Sequence, residues 1–254
     1  MIDATISLEL FATGILAGIC NAIAGGGTFF TFPVFLSLGM PPIVANASNS
    51  VAVWPGHALA AFSYRRELHG FSRRIIGLIF ISLSGGIIGA ILVAYVGNKA
   101  FGTLIPFLLL FAVILFALGP NLTIWMNARL PSAMVSRHGF ILRFVEFLIA
   151  VYGGFFGAGL GIMLMASLQL TGVQDIQANN ALKNLIGTFI NSVAVVVFIF
   201  SGLVSWPHTV IVFIGAVIGG LAGAKISRRL PATWFRGLII VAGLGLSIYY
   251  FIQW

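Results

Sequence analysis

Eight long apolar segments run through this chain, and they constrain its fold more than any other feature. They cover about residues 8–38, 43–63, 75–97, 101–119, 141–171, 179–202, 208–226 and 235–252. A helix needs about 20 apolar residues to cross a bilayer. Only 7% of the 254 residues are charged, against about 25% in a soluble domain. The sequence therefore predicts an all-α integral membrane protein, one membrane domain over residues 1–254, and argues against a nucleic-acid partner for its net charge of +8.

An internal repeat divides the chain into two halves. When the sequence is shifted by 134 residues, Gly25 and Gly27 fall on Gly159 and Gly161. The scarce polar residues of the apolar segments match in the same register: Asn46 with Asn180, Asn49 with Lys183, Ser50 with Asn184, and His57 with Asn191. We therefore expect repeat one over about residues 1–120, a polar cytoplasmic linker over about 120–140, and repeat two over about 140–254.

The positions of Lys and Arg predict that the two halves are inverted, because cytoplasmic loops collect these residues. The loop over 65–74 is rich in Arg, and its equivalent in half two has none. The next loops reverse this pattern, with only Lys99 in half one and a basic cluster over 225–236 in half two. If the first and fifth segments are re-entrant hairpins, Lys99 alone of the 13 basic residues lies outside; eight full crossings would leave six outside. We predict that each half is a re-entrant or broken helical hairpin followed by three transmembrane helices, with both termini outside.

Glycines interrupt both of the segments that are too long for one crossing. We expect these glycines to form the hairpin tips, since irregular backbone at membrane depth is tolerated where it is buried in protein or lines a cavity. The half-helix after each tip would present free N–H groups and a positive dipole end, which favour an anion. The alternative is that the glycines only allow close helix packing. The candidate binding residues at the tips are Gly25, Gly26, Gly27, Thr28, Gly159 and Gly161.

The helix after each hairpin carries a stripe of polar residues on one face. The stripe of half one is Asn46, Asn49, Ser50 and His57, and that of half two is Asn180, Lys183, Asn184 and Asn191. Polar groups inside a membrane are costly unless they face a cavity or a partner. The stripes supply donors and one cation but no carboxylate, which suits an oxyanion. Three alternatives stay open: interhelical hydrogen bonds for each Asn, an interfacial position for Lys183, and simple packing for His57.

The motifs of both halves resemble the TauE/SafE family of sulfite exporter-like transporters. The resemblance is carried by "GILAGICNAIAGGGTFFTFPVFLSLGMPPIVANASNS" and its weaker copy "GGFFGAGLGIMLMASLQLTGVQDIQANNALKN". Half two departs from the pattern, with Ser167 where half one has Pro33. The resemblance implies secondary transport of sulfite or a small organosulfonate across a bacterial inner membrane, with export as the expected direction.

Two other functions compete with this one: an anion channel, and a transporter of a different organic anion. An intramembrane enzyme is disfavoured, because the sequence has no Gly-x-Ser-x-Gly elbow and no His-Glu-x-x-His site. We expect no cofactor and no metal; the partners would be a small anionic substrate and the lipid bilayer. The sequence leaves open the exact substrate, the direction, the coupling ion, the oligomeric state (a homodimer is one alternative) and whether Glu146 or His57 carries protons.

Overall fold

The computed structural model describes residues 3–129, 139–170, 172–173, 175–226 and 232–253. These residues form ten α-helices and a 3-10 helix (Arg65–Phe71), with no strand among them. The helices are α1 (Ala4–Ile23), α2 (Thr28–Ser37), α3 (Pro42–Ser63), α4 (Ser72–Val96), α5 (Asn98–Arg129), α6 (Gly139–Phe155), α7 (Leu160–Leu170), α8 (Ile176–Phe200), α9 (Trp206–Ile226) and α10 (Ala232–Gln253). The predicted all-α membrane fold is confirmed.

Six of the helices are long and apolar enough to cross a membrane: α1, α4, α5, α8, α9 and α10. Helix α3 has 22 residues and is not one of the six, because its polar stripe lowers its hydropathy. Helices α2 and α7, with 10 and 11 residues, are each about half the length of a crossing helix. The short helices are therefore the second arms of the two interrupted segments.

The chain reverses direction at the first break. A straight helix would separate residues 17 and 27 by about 15 Å. Instead, a Cβ atom built on Gly27 lies 2.6 Å from the Ala17 carbonyl oxygen, so the start of α2 packs back against α1. At the second break, Tyr152 in α6 donates a hydrogen bond of 2.7 Å to the carbonyl of Ala158. Both broken helices are present as expected, although α1, at 20 residues, is longer than the half-crossing arm that the hairpin prediction requires.

The two halves pack reciprocally. Helix α1 of half one runs along α9 of half two, and α6 of half two runs along α4 of half one. Glycines make both contacts close: Gly18 lies against the Ala216 carbonyl, and Gly89 lies against the Val151 carbonyl. Helices α3 and α8 contact each other, and so do α5 and α10. Halves related by a pseudo-two-fold axis would pair in this way; their inversion across a membrane stays a prediction.

The segment expected to be a surface linker is partly helical. Helix α5 continues through Gly119 and Pro120 to Arg129, and positions 130–138 lie outside the described residues. Pro120 has no N–H to donate to the carbonyl of Phe116, four residues earlier. Arg236 of α10 supplies the missing donor, with its Nε 2.6 Å from that oxygen. A long-range hydrogen bond thus allows the helix to pass the proline, which the local sequence could not reveal.

Candidate functional site

The two glycine breaks meet inside the protein. A Cβ atom built on Gly25 lies 3.8 Å from the Cα of Gly161, and one built on Gly161 lies 3.9 Å from the Cα of Gly25. Gly25 and Gly159 both have positive φ angles, +82° and +78°, a conformation that L side chains rarely adopt. These angles turn the backbone at equivalent points of the two breaks, and bring the starts of α2 and α7 together.

The first turns of α2 and α7 use some of their N–H groups internally. The amides of Phe29 and Ile162 donate to Gly26 and Gly159 at 3.2 and 3.0 Å. Among the described residues, the amides of Gly27, Thr28 and Gly161 have no hydrogen-bond acceptor. Free N–H groups at a helix start attract anions. The amides available to a ligand are therefore those of Gly27 and Thr28 at the start of α2 and of Gly161 at the start of α7.

A narrow cavity lies where the breaks meet, with room for about one water-sized molecule in this conformation. Seven of the predicted residues line it: Gly25, Thr28, Asn49, Ser50, His57, Gly161 and Asn191. Its other lining residues are Asn21, Val53, Phe156, Gly157 and Leu160. The cavity thus takes donors from both polar stripes and backbone from both breaks, which is the convergence expected for one shared site.

A hydrogen-bond network fixes the cavity wall that α3 presents. Asn49, which is 1% exposed, accepts a hydrogen bond through its Oδ1 from the Thr31 hydroxyl. Its Nδ2 donates to the Thr28 hydroxyl at 3.5 Å. Thr31 also bonds the Gly27 carbonyl at 3.3 Å. The first turn of α2 is therefore tied to α3 by side chains, and Asn49 is held in one orientation beside the cavity.

Asn46 does not line the cavity and instead joins two helices. It is fully buried, and its Nδ2 donates to the Phe155 carbonyl at the end of α6 at 3.0 Å. This is the interhelical hydrogen bond that the sequence left open as an alternative. Ser50 lines the cavity, but its hydroxyl donates to the Asn46 carbonyl at 2.9 Å.

Three of the predicted glycines lie behind the cavity wall. A Cβ atom on Gly26 would lie 2.5 Å from Ile239 Cδ1, and one on Gly27 would lie against Ala17. One on Gly159 would lie 3.5 Å from Ala112. Close packing therefore explains Gly26 and Gly27, and the positive φ angle explains Gly159, whereas Gly25 and Gly161 face the cavity.

Lys183 of α8 is a buried cation next to the second break. It is 7% exposed, and its Cδ lies 3.6 Å from a Cβ atom built on Gly161. No salt bridge or hydrogen bond involving its side chain occurs within the described part of the chain. Because the Lys183 side chain is buried within the fold, it does not have the exposed position of an interfacial lysine.

The remaining stripe residues of α8 differ in their surroundings. Asn184 is 5% exposed, and its side chain has no hydrogen-bond partner among the described residues. Asn191 lines the cavity, and its Nδ2 donates to the Gly187 carbonyl at 2.9 Å. Asn180 is half-buried and does not line the cavity.

Asn21 is a lining residue that the sequence pattern did not reveal. Its Nδ2 is buried and has no acceptor among the described residues. It lies in α1, one turn before the break, and the repeat aligns it with Phe155. The other stripe candidates were identified as polar residues that match in both halves, and Asn21 has no polar counterpart in half two. The sequence signal that could have identified Asn21 is an isolated amide side chain in an apolar segment.

Among the described residues, no three His, Cys, Asp or Glu side chains lie close enough together to hold a metal ion. The donors around the cavity are amides, hydroxyls, an imidazole and an ammonium group. These groups can hydrogen-bond and neutralise an anion.

Comparison with known proteins identifies related chains. The sequence model of the family described as "Sulfite exporter TauE/SafE" matches residues 10–250. A probable membrane transporter protein, ORF9, of Sinorhizobium sp. is 29% identical over 241 residues, covering 94% of this chain and 90% of its own. A probable membrane transporter protein of Haemophilus influenzae is 29% identical over 236 residues, covering 91% and 89%. The probable membrane transporter protein YfcA of Escherichia coli K12 is 27% identical over 244 residues, covering 94% and 87%. No solved structure matches the chain significantly.

Proposed function

The chain belongs to the TauE/SafE family of membrane transporters, and on that premise we propose that it is a secondary transporter that binds one small anion between its two broken helices. The substrate is sulfite or an organosulfonate, and the direction is export across the inner (plasma) membrane. The family description supports the sulfur oxyanion and the direction. The residues of the site support a negatively charged substrate.

The observation that carries the proposal is the buried Lys183 beside Gly161, with no carboxylate paired to it in the described part of the chain. A buried charge is unfavourable unless it is paired. No Asp or Glu lines the cavity next to it. A bound anion would supply the missing counter-charge, so Lys183 favours an anionic substrate over a neutral or cationic one.

The neutral donors around the cavity suit an oxyanion in particular. The free amides of Thr28 and Gly161, the side chain of Asn21 and the Asn49 amide come from four different helices. A pyramidal or tetrahedral oxyanion presents several acceptor oxygens in different directions. Hydrogen bonds to a charged group contribute about 1.5–3 kcal/mol each, so a few of them would give selective binding.

The narrow cavity requires a conformational change during transport. A site with room for about one water must widen before an oxyanion can enter. The two proposed inverted halves would allow the site to open toward one side of the membrane and then toward the other. The breaks that precede α2 and α7 would lie at the centre of this movement. The basic clusters support cytoplasmic placement of the 65–74, linker and 225–236 regions, with both termini outside.

Thermal unfolding of the purified protein in detergent tests the ligand class. Sulfite, sulfate, sulfoacetate and ethanesulfonate are compared with dimethyl sulfone, a neutral molecule with similar sulfonyl oxygens. We expect concentration-dependent stabilisation by at least one sulfur oxyanion and none by the sulfone. Equal stabilisation by the sulfone, or stabilisation by none of the anions, would overturn the proposal. In proteoliposomes, saturable flux that accumulates the anion against its gradient supports a transporter, and non-saturable passive flux supports a channel.

A further inference from the structure

His57 and Lys183 lie on two helices that pack together, α3 and α8, and Lys183 lies beside Gly161 of the cavity wall. His57 in α3 lines the cavity. A Cβ atom built on Gly187 would lie 3.3 Å from His57 Nδ1, so the imidazole packs against α8 one helical turn beyond Lys183. His57 and Lys183 are thus two titratable groups at or beside the proposed anion site.

Among the described side chains that line the cavity together with His57, none carries a charge. Helix α1 contributes the neutral Asn21, and α9 approaches through Gly220, which packs against Gly56. Along its own chain, Arg65, Arg66 and Glu67 follow the end of α3, eight to ten residues after His57. Within the described residues, the imidazole has no hydrogen-bond partner. Its protonation can therefore respond to Lys183 and to the contents of the cavity.

We propose that His57 takes up a proton when the anion binds, so that anion and proton occupy the site together. The inference rests on the proposed function and deepens it by naming the residue that links anion binding to protonation. Two adjacent positive charges repel each other in a buried site. Without a bound anion, we therefore expect only one of the two side chains, His57 or Lys183, to be charged. An anion between them reverses this balance, because a nearby negative charge favours the charged imidazole. By thermodynamic reciprocity, protonated His57 then binds the anion more tightly than neutral His57.

The two side chains, His57 and Lys183, also predict different proton uptake for monoanionic and dianionic substrates. A monoanion is neutralised by Lys183 alone, whereas a dianion requires both positive charges. We therefore expect proton uptake to be larger for sulfate or sulfoacetate than for ethanesulfonate. None of the three changes its own charge between about pH 6 and 8, the range in which histidine titrates, so any proton taken up is bound by the protein.

Titration calorimetry in buffers of different ionisation enthalpy measures the proton uptake directly. Wild-type protein should take up as much as about one proton per anion, and its affinity should fall by up to about tenfold per pH unit as the pH rises. The His57→Gln variant should still bind the anion, with no proton uptake and a flat pH profile. Thermal unfolding establishes that this variant is folded.

His208 is the matched control, because its Nδ1 hydrogen-bonds the Ser205 hydroxyl at 2.9 Å and it does not line the cavity. The His208→Gln variant should keep the wild-type uptake. Wild-type binding without proton uptake, or uptake that persists in His57→Gln, would overturn the coupling and leave the anion site standing. Failure of the wild type to bind any of the anions would overturn the proposed function and the coupling with it.

Discussion

Gly25 and Gly161 face each other across the meeting point of the two broken helices, with a Cβ position on each within 4 Å of the other's Cα. Their separation defines how closely α2 and α7 approach. Gly161 also faces the aliphatic part of Lys183 at 3.6 Å. A side chain at this point would occupy the space that we assign to the anion, so the pair gives a sharp test of the site.

The Gly161→Ala variant should fold normally and lose anion affinity. Its Cβ would meet Lys183 and Gly25 only at ordinary van der Waals distances, 3.6 and 3.9 Å. The added methyl group would nevertheless reduce a cavity that has room for about one water. We expect an unchanged unfolding temperature without ligand and at least about a tenfold rise in Kd, or about 1.4 kcal/mol. Wild-type affinity in a folded Gly161→Ala protein would place the anion elsewhere.

Gly27→Ala is the contrasting variant. Its Cβ would lie 2.6 Å from the Ala17 carbonyl, so α2 would have to move away from α1. Overpacking of this kind costs about 1–3 kcal/mol, and we expect a lower unfolding temperature. A Gly27→Ala protein as stable as the wild type would contradict the close packing described for the first break.

Lys183→Met should weaken anion binding by about 10- to 150-fold without destabilising the protein. Methionine keeps most of the apolar stem and removes the charge. Replacing a buried charged group with an apolar one is often neutral or stabilising, whereas the lost interaction with the anion is expected to cost about 1.5–3 kcal/mol. Lys99, which is exposed at the start of α5, provides the control variant Lys99→Met. Equal affinities of the two variants would remove Lys183 from the site.

Repeat matching names six residues that line the cavity: Gly25, Asn49, Ser50, His57, Gly161 and Asn191. Only for His57 and Asn191 do both members of a matched pair line it, and the role of these residues in binding stays a prediction. Repeat matching failed for Asn21, which the repeat aligns with an apolar residue. Periodicity identifies a shared face, but it cannot show which members of that face end at the cavity.

Asn46 and Gly27 show the other limit of sequence reasoning. Both belong to motifs that do form the site, yet Asn46 bonds the Phe155 carbonyl and Gly27 packs on Ala17. An amide or a glycine in an apolar segment serves packing and binding equally well. Only the tertiary neighbours distinguish the two roles, and those neighbours lie more than 100 residues away for Asn46.

The hydrogen bond from Arg236 to the Phe116 carbonyl should stabilise the fold only because Pro120 leaves that carbonyl without a donor within α5. Arg236→Met leaves the Phe116 carbonyl without a donor, which we expect to cost about 1–3 kcal/mol of unfolding free energy. In a Pro120→Ala background, the alanine N–H can donate to that carbonyl within α5, and the same change should cost less. A double-mutant cycle measured by unfolding in mixed micelles tests this. Equal costs in both backgrounds would mean that the two residues are not coupled.

The inverted arrangement predicts opposite accessibility for equivalent loops. Ser37 ends α2 and Gln177 lies at the start of α8, and both are exposed. Single cysteines at these positions, in a Cys20→Ala background, should react with a membrane-impermeant thiol reagent from opposite sides, Ser37→Cys from outside and Gln177→Cys from the cytoplasm. Labelling of both from the same side would exclude the inversion.

Asn21→Asp should eliminate anion binding through charge alone. Aspartate has nearly the same shape as asparagine, but it would place a carboxylate at the cavity, near the buried Nδ2 position that has no acceptor in the described residues. That carboxylate would supply Lys183 with a counter-charge and repel an entering oxyanion. We expect the sulfur oxyanions to lose their stabilising effect on thermal unfolding. Asn98→Asp is the matched control, since Asn98 is exposed and its Oδ1 already accepts from the Ile43 amide at 3.0 Å. A folded Asn21→Asp protein that binds its anion as tightly as Asn98→Asp would show that Asn21 lies outside the electrostatic field of the bound substrate.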